Sequence, residues 1–188
     1  MALPHAILVS LCEQSGSGYE LTRRFDRSIG YFWSATHQQI YRTLRTMEAD
    51  GWVSATVVAQ QGRPDKKVYT VSGSGRAELA RWIAAPLGGS RSGEGGTREL
   101  AVKLRGAAYG DRAALLEQVV TLRVERATLL ETYRGFEKKQ FSDPASLRGS
   151  ALHQYLVLRG GIRTEEGTVD WLDEITAALQ KPPGQENR

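Results

Sequence analysis

The sequence predicts a mainly α-helical protein of the α+β class. Apolar residues recur every three or four positions through most of the 188 residues, which is the period of an amphipathic helix. Between residues 52 and 71 the period falls to two and β-branched residues accumulate, as in strands. The composition, 40% hydrophobic and 24% charged, is that of an ordinary globular protein.

Three helices are predicted before the strands. The first runs from Leu3 to Gln14 and ends at a Ser-Gly cluster. The second runs from Tyr19 to Ile29, and the third from about Thr36 to Asp50, where Gly51 ends it. The third helix has an apolar stripe on one side. On another face it groups side chains that can bond to bases or phosphates: His37, Gln38, Tyr41, Arg42 and Arg45.

A two-stranded hairpin is predicted next, with strands over Trp52 to Ala59 and Lys67 to Val71. The residues between them have turn character and are basic, since Arg63, Lys66 and Lys67 lie at or beside the tip. A fourth helix follows from about Ser74 to Ala85. Helices followed by a hairpin with a basic tip, in this order, describe a winged helix-turn-helix domain over residues 1–86.

The second half is predicted to be all-helical. Residues 87–97 are rich in Gly and Ser and read as a flexible linker. Helices are then predicted over residues 98–109, 111–141, 144–163 and 165–180, within a dimerisation and effector domain of residues 98–181 and before a disordered tail of residues 182–188. The longest one has a heptad seam, which comprises Leu115, Val119, Leu122, Arg126, Leu129, Tyr133 and Phe136.

Catalysis, metal binding and a bound cofactor find no support in the sequence. The three histidines are scattered without ligand spacing, no nucleophile motif is present, and Cys12 is the one cysteine. We therefore predict no enzyme activity, no metal and no cofactor. No apolar run reaches the length of a membrane span and no signal peptide is recognisable, which predicts a cytoplasmic protein.

Double-stranded DNA is the predicted partner of the first half. Residues 23–67 contain eight basic residues against four acidic ones, and a helix with exposed Gln and Arg suits the major groove. The hairpin forms the wing of such a domain. Its basic side chains and the start of the second helix would then contact phosphates. The predicted DNA-binding residues are Tyr19, Ser34, Thr36, His37, Gln38, Gln39, Tyr41, Arg42, Arg45, Arg63, Lys66 and Lys67.

The sequence also resembles the PadR family of bacterial transcriptional regulators. The matching strings are GYEL (18–21), FWSATHQQIYRTL (32–44), MEADGWV (47–53) and KKVYTVSGSG (66–75), with HQYLVL (153–158) and VDWLDEI (169–175) in the helical half. The resemblance implies a homodimer formed through the C-terminal helices and repression relieved by a small molecule. It is closest to the phenolic-acid-responsive branch, which implies a small aromatic effector.

Several alternatives remain open at the level of sequence. The aromatic and basic residues of the helical half would either line an effector pocket or belong to the core; they are His153, Tyr155, Trp171 and Arg126. Arg126 would either set the helix register or neutralise an anionic effector. A winged-helix protein-interaction module without DNA binding is the alternative function. For a DNA-binding dimer, we expect recognition helices roughly 34 Å apart on a palindromic operator.

Overall fold

The structure, a computed structural model, describes residues 3–27, 35–59, 65–88 and 94–181. The chain divides into two compact units, residues 1–115 and residues 116–188. The first unit contains the predicted helices and hairpin, and the second contains most of the two longest helices.

The first unit confirms the predicted order of helices and strands. Its elements are α1 (Leu3–Glu13), β1 (Gly16–Ser17), α2 (Gly18–Arg27), α3 (His37–Ala49), β2 (Val53–Val58), β3 (Lys66–Val71) and α4 (Gly73–Ala84). Their apolar stripes meet in one core, where Leu8, Leu21, Phe25, Ile40 and Leu44 are almost completely shielded from solvent. The hydrophobic periodicity therefore marks the inward face of each helix.

The sheet has three strands in the order β1–β3–β2, all antiparallel to their neighbours. Strand β2 pairs with β3 from Val53 opposite Val71 to Val58 opposite Lys66. Strand β1 pairs Ser17 with Val68, and the sequence analysis predicted only a turn there. Two residues are too few to show a period of two, so this strand depends on its backbone pairing with β3.

Helix α5 (Glu94–Arg105) begins inside the segment 87–97 that the sequence predicts as a linker. It belongs to the first compact unit, where Leu100 and Val102 are buried. The fully buried Lys103 donates a hydrogen bond to the carbonyl of Ala85, which follows α4. The compact division after residue 115 thus differs from the predicted boundary at 86–97, because α5 packs with the helices before it; residues 89–93 lie outside the described part.

Helix α6 (Arg112–Gln140) crosses the unit boundary, and α7 (Gly149–Gln180) fills the rest of the second unit; short 3-10 helices precede each, over Ala107–Tyr109 and Pro144–Ser146. Helices α6 and α7 run antiparallel, since Arg123 pairs with Asp173 at 2.9 Å and Arg159 with Glu137 at 3.0 Å. The predicted disordered tail, residues 182–188, lies outside the described residues.

Helix α7 corrects the prediction of two separate helices. It passes without interruption through Gly160 and Gly161 and through residue 164. One buried stripe continues across the expected break, comprising Ile162, Glu165, Val169, Leu172 and Ile175. Burial along this stripe outweighs the cost of glycine in a helix, about 1 kcal/mol per residue.

The heptad seam of α6 is confirmed in part. Leu115 and Val119 are fully buried and Arg126 nearly so, whereas Phe136 is 44% exposed. Leu130, outside the predicted seam, is buried instead. A straight α-helix drifts relative to a strict seven-residue repeat, so the buried face moves away from the predicted positions toward the end of the helix.

Candidate nucleic-acid interface

Helix α2 begins with a capping box formed by Ser17 and Glu20. The Ser17 hydroxyl accepts from the backbone N–H of Glu20 at 3.3 Å, and the Glu20 carboxylate accepts from the backbone N–H of Ser17 at 2.8 Å. Two of the helix's otherwise unpaired N–H groups are satisfied in this way. Tyr19 lies between these residues and is 61% exposed, so its hydroxyl is available to a ligand at the helix start.

Helix α3 begins with a second capping box, formed by Thr36 and Gln39. The Thr36 hydroxyl accepts from the N–H of Gln39 at 3.2 Å, and the Gln39 amide oxygen accepts from the N–H of Thr36 at 2.8 Å. Two residues predicted to contact DNA therefore have a structural role at the start of the third helix. Their side chains hold the N-terminus of α3 in a defined geometry.

The solvent face of α3 carries the predicted base-reading groups. Gln38, Arg42 and Arg45 are exposed, and within the described part of the chain their side chains have no hydrogen-bond or ionic partner. Tyr41 is 40% exposed. His37 is also exposed, with Nε2 3.4 Å from Asp26 Oδ2 on α2. Gln38, Arg42 and Arg45 can therefore bind an external partner without first breaking a contact to another described residue.

Helices α2 and α3 approach each other closely at Gly18. A Cβ atom at this position would lie 2.3 Å from the ring of Tyr41, much less than a van der Waals contact. Glycine avoids this contact and lets the start of α2 lie against the ring of Tyr41. The contact fixes the start of α2 against the exposed face of α3.

The hairpin of β2 and β3 is the wing, and its lysines, Lys66 and Lys67, are bonded to acidic residues of the helices. Lys66 Nζ donates to Glu20 Oε1 at 2.6 Å, and Lys67 Nζ donates to Glu48 Oε2 at 2.7 Å. The bond from Lys66, together with the Ser17 backbone N–H, lowers the pKa of Glu20 to about 2. The bond to Glu48 raises the pKa of Lys67. Both shifts favour the charged forms, the carboxylate of Glu20 and the ammonium group of Lys67.

An open groove of about 790 Å³ lies between the start of α2, α3 and the base of the wing. Among its lining residues are Tyr19, Tyr41, Lys66 and Lys67, which the sequence analysis had assigned to DNA. It is also lined by Arg23 and Arg27 of α2, which that assignment omitted. Both arginines are exposed on the polar side of an amphipathic helix, a pattern visible in the sequence. Their position beside the wing became evident only from the fold.

Arg24 shows that not every cation of the groove is available to a ligand. Its guanidinium donates to the carbonyls of Ser10 at 2.8 Å, Gln14 at 2.6 Å and Ser15 at 3.2 Å. These carbonyls end α1 and begin the following loop, where a cation is stabilising. Arg24 therefore has a structural role at the end of α1.

Comparison with known proteins decides the family. The PadR-like transcriptional regulator family model matches residues 7–81, and the virulence activator alpha C-terminal model matches residues 98–180. The probable transcriptional regulator Rv1176c of Mycobacterium tuberculosis is 70% identical over 187 residues, which cover 96% of this chain and 99% of the relative. The chain belongs to the PadR-like family of transcriptional regulators.

A more distant relative is the negative transcriptional regulator PadR of Bacillus subtilis, which is 29% identical over 95% of this chain and 98% of its own. Two solved structures of that protein cover 96% of this chain and 100% of theirs. The complex with operator DNA has 28% identity and a TM-score of 0.45, and the complex with p-coumaric acid has 27% and 0.42. As a PadR-like regulator, the chain regulates transcription, and the names of its family and relatives are those of transcriptional regulators and not of enzymes.

The four predicted effector residues of this PadR-like regulator do not converge within one chain. His153 and Tyr155 lie near the start of α7, where the Tyr155 and Phe141 ring centroids are 5.5 Å apart. Trp171 lies sixteen residues further along the same helix, which corresponds to about 24 Å at 1.5 Å per residue. A single small ligand in one chain cannot contact both ends of this set.

Arg126 faces a partner that the sequence did not indicate. Its Nη1 lies 3.5 Å from Glu165 Oε1, and both side chains are about nine-tenths buried. The second carboxylate oxygen, Glu165 Oε2, is buried and has no hydrogen-bond partner among the described residues. An acidic partner already neutralises Arg126, so the structure favours its register-setting role over that of a counter-charge for an effector.

Two predicted DNA-binding residues, Ser34 and Arg63, lie outside the described residues. Within the described ranges, neither of the two longest helices, nor any other, has the length and apolar character required to cross a bilayer.

Proposed function

We propose that this regulator is a homodimeric repressor that reads a palindromic operator with α3 and contacts phosphates with α2 and the wing. The observation that carries the proposal is the exposed face of α3, on which Gln38, Arg42 and Arg45 have no partner among the described residues. Arg and Gln are the side chains that bond bidentately to guanine and adenine edges. The name of the Bacillus subtilis relative, a negative regulator, supports repression.

The groove supports phosphate contacts beside the reading helix. Arg23 and Arg27 add two exposed cations on α2, and Tyr19 adds a hydroxyl at its N-terminus. Phosphate neutralisation supplies most of the affinity that does not depend on sequence. We therefore add Arg23 and Arg27 to the proposed DNA-binding residues.

Binding to DNA is tested with Arg42→Ala and with Arg163→Ala as the matched control. Arg163 is an exposed arginine of α7 without a partner among the described residues, so both variants lose one positive charge. With a duplex selected from a randomised library, Arg42→Ala should cost about 1–3 kcal/mol if the side chain reads a base. Equal affinities of the two variants would exclude α3 as the reader and favour the protein-interaction alternative.

The homodimer is supported by exposed apolar side chains in the second unit. Val120 and Val124 lie one turn apart on α6 and are 43% and 57% exposed, and Leu156 and Val157 on α7 are 57% and 78% exposed. Apolar patches of this kind mark interfaces in soluble proteins. Sedimentation should show a dimer that Val124→Glu weakens and Ala113→Glu, at another exposed position of α6, does not. A wild-type monomer at micromolar concentration would refute the dimer.

Release by a small aromatic effector is the last part of the proposal. It is supported by the half-buried ring of Tyr155 against the buried ring of Phe141, with the exposed His153 two residues before Tyr155, and by the p-coumaric acid bound to the Bacillus subtilis relative. Phenolic acids should raise the melting temperature and weaken operator binding, and Tyr155→Ala should reduce both effects. Trp171→Ala tests whether the ligand also contacts α7 at the distant position of Trp171. Ligand binding that leaves operator affinity unchanged would show that the two events are not linked.

A further inference from the structure

Two acidic side chains of the surface proposed to bind DNA, Glu20 and Glu48, are each bonded to a wing lysine. Glu20 lies at the start of α2 and Glu48 in the last turns of α3, yet both reach strand β3. The ion pairs are partly exposed, since the four side chains have solvent-exposed fractions between 30% and 46%. A DNA phosphate can therefore approach the same two ammonium groups that these carboxylates bind.

The arginines of this surface are arranged differently. Arg23, Arg27, Arg42 and Arg45 are exposed, and among the described residues none of them is bonded to a carboxylate. Glu20 and Glu48 are thus bonded to the wing lysines and not to these arginines. Lysine is a compact charge suited to phosphate without regard to sequence, whereas arginine also reads bases.

The Glu20 carboxylate keeps its charge at physiological pH. The pKa of Glu20 is lowered to about 2 by its bonds from Lys66 and Ser17. Glu48 is bonded to an ammonium group whose own pKa it raises. The competition between the Glu20 carboxylate and a phosphate for Lys66 is therefore not relieved by a change of pH in the cell.

We propose that Glu20 and Glu48 determine specificity by competing with DNA phosphates for Lys66 and Lys67. The inference rests on the proposed DNA-binding function. A phosphate that binds either lysine must displace a carboxylate and remain beside its negative charge. Binding to random DNA depends almost wholly on phosphate contacts, whereas operator binding adds base contacts. The carboxylates therefore weaken random binding by a larger fraction and raise the ratio of operator to random affinity.

Helix α3 indicates which substitution removes the negative charge of Glu20 and keeps the cap of α2. At the equivalent third position of α3, Gln39 completes a capping box through its amide oxygen. Glu20→Gln should therefore keep the cap of α2 and lose only the ionic bond to Lys66. Glu48 caps no helix start, so Glu48→Gln provides a second test that is independent of capping. Glu174→Gln, at an exposed acid of α7 without a partner among the described residues, is the control for net charge.

The experiment measures affinity for a random-sequence duplex by fluorescence anisotropy over a range of salt concentrations. We expect each of Glu20→Gln and Glu48→Gln to bind about two- to fivefold more tightly, the scale of one exposed ion pair. The salt slope should steepen by about 0.9 for each lysine released to a phosphate. Affinity for the library-selected operator should rise less, so the ratio of operator to random affinity falls. Glu174→Gln should match wild type.

Background variants and folding controls make the outcome decisive. In a Lys66→Met background, Glu20→Gln should have no further effect on the salt slope, and thermal melts identify any variant that fails to fold. Unchanged or weaker random binding by folded Glu20→Gln and Glu48→Gln overturns the inference and leaves the proposed function intact. Failure of the wild-type protein to bind any duplex overturns the proposed function itself.

Discussion

Helices α2 and α3 begin with the same capping arrangement but differ in the residue that completes it. In α2 the third residue is Glu20, whose carboxylate also binds Lys66; in α3 it is Gln39, whose amide binds only the cap. An amide leaves the N-terminus of the reading helix without a negative charge, where it is proposed to meet DNA. A carboxylate at α2 instead connects the helix to the wing. One local motif thus has two functional consequences, depending on charge.

The largest expected effect on stability comes from a substitution at the contact between α2 and α3. Gly18→Ala would place a methyl group 2.3 Å from the ring of Tyr41, so that the ring must shift. We expect a loss of about 1–3 kcal/mol in the free energy of unfolding, the cost of overpacking. Gly73→Ala at the start of α4 is the control, since no atom lies within 4 Å of the added carbon. Denaturant titration measures both, and equal stabilities would contradict the close approach.

Removal of each cap hydroxyl compares the two boxes directly. Thr36→Ala should destabilise the protein by about 1 kcal/mol, the usual value for a lost cap. Ser17→Ala should cost less, because Ser17 also pairs with Val68 in the sheet and Glu20 remains bonded to Lys66. Urea unfolding of both variants gives the comparison. A larger cost for Ser17→Ala would mean that the wing contact does not support the start of α2.

Exchange of the third residue tests the role of charge. Gln39→Glu should retain the box and stabilise α3 by about 0.3–1 kcal/mol, since a negative charge at a helix N-terminus is favourable. Binding to a random duplex should weaken about two- to fivefold, because the new carboxylate repels phosphate. Anisotropy with and without added salt measures this loss, which should shrink as salt rises. An unaltered affinity would place the start of α3 away from DNA.

The smallest expected effect is the loss of stability at acidic pH that protonation of Glu20 causes. The pKa of Glu20 is depressed from 4.5 to about 2 in the folded protein, so its contribution to stability is complete above pH 4.5. It is lost as the pH falls from 4.5 through 2, because the unfolded chain then binds the proton more readily. Glu20→Gln should remove this part of the pH dependence in equilibrium unfolding. If the stability of the wild type and of the variant depended on pH in the same way, the lowered pKa of Glu20 would be excluded.

Local sequence patterns determined most of the first unit. The helix limits of α1 and α3 follow from apolar spacing, capping residues and Gly51, all of which act within a few positions of the chain. The exposed reading face of α3 follows in the same way, since helical geometry alone places Gln38, Arg42 and Arg45 together.

Only the tertiary structure decided the features that depend on distant parts of the chain. Strand β1 exists through its pairing with β3, and α5 joins the first unit because Lys103 and its neighbours are buried there. Continuous burial across residue 164, where the sequence predicts a break, makes α7 one helix. The bonds of Glu20 to Lys66 and of Glu48 to Lys67 span 46 and 19 positions. No local periodicity encodes such contacts, because they arise from the folding of separate elements onto one core.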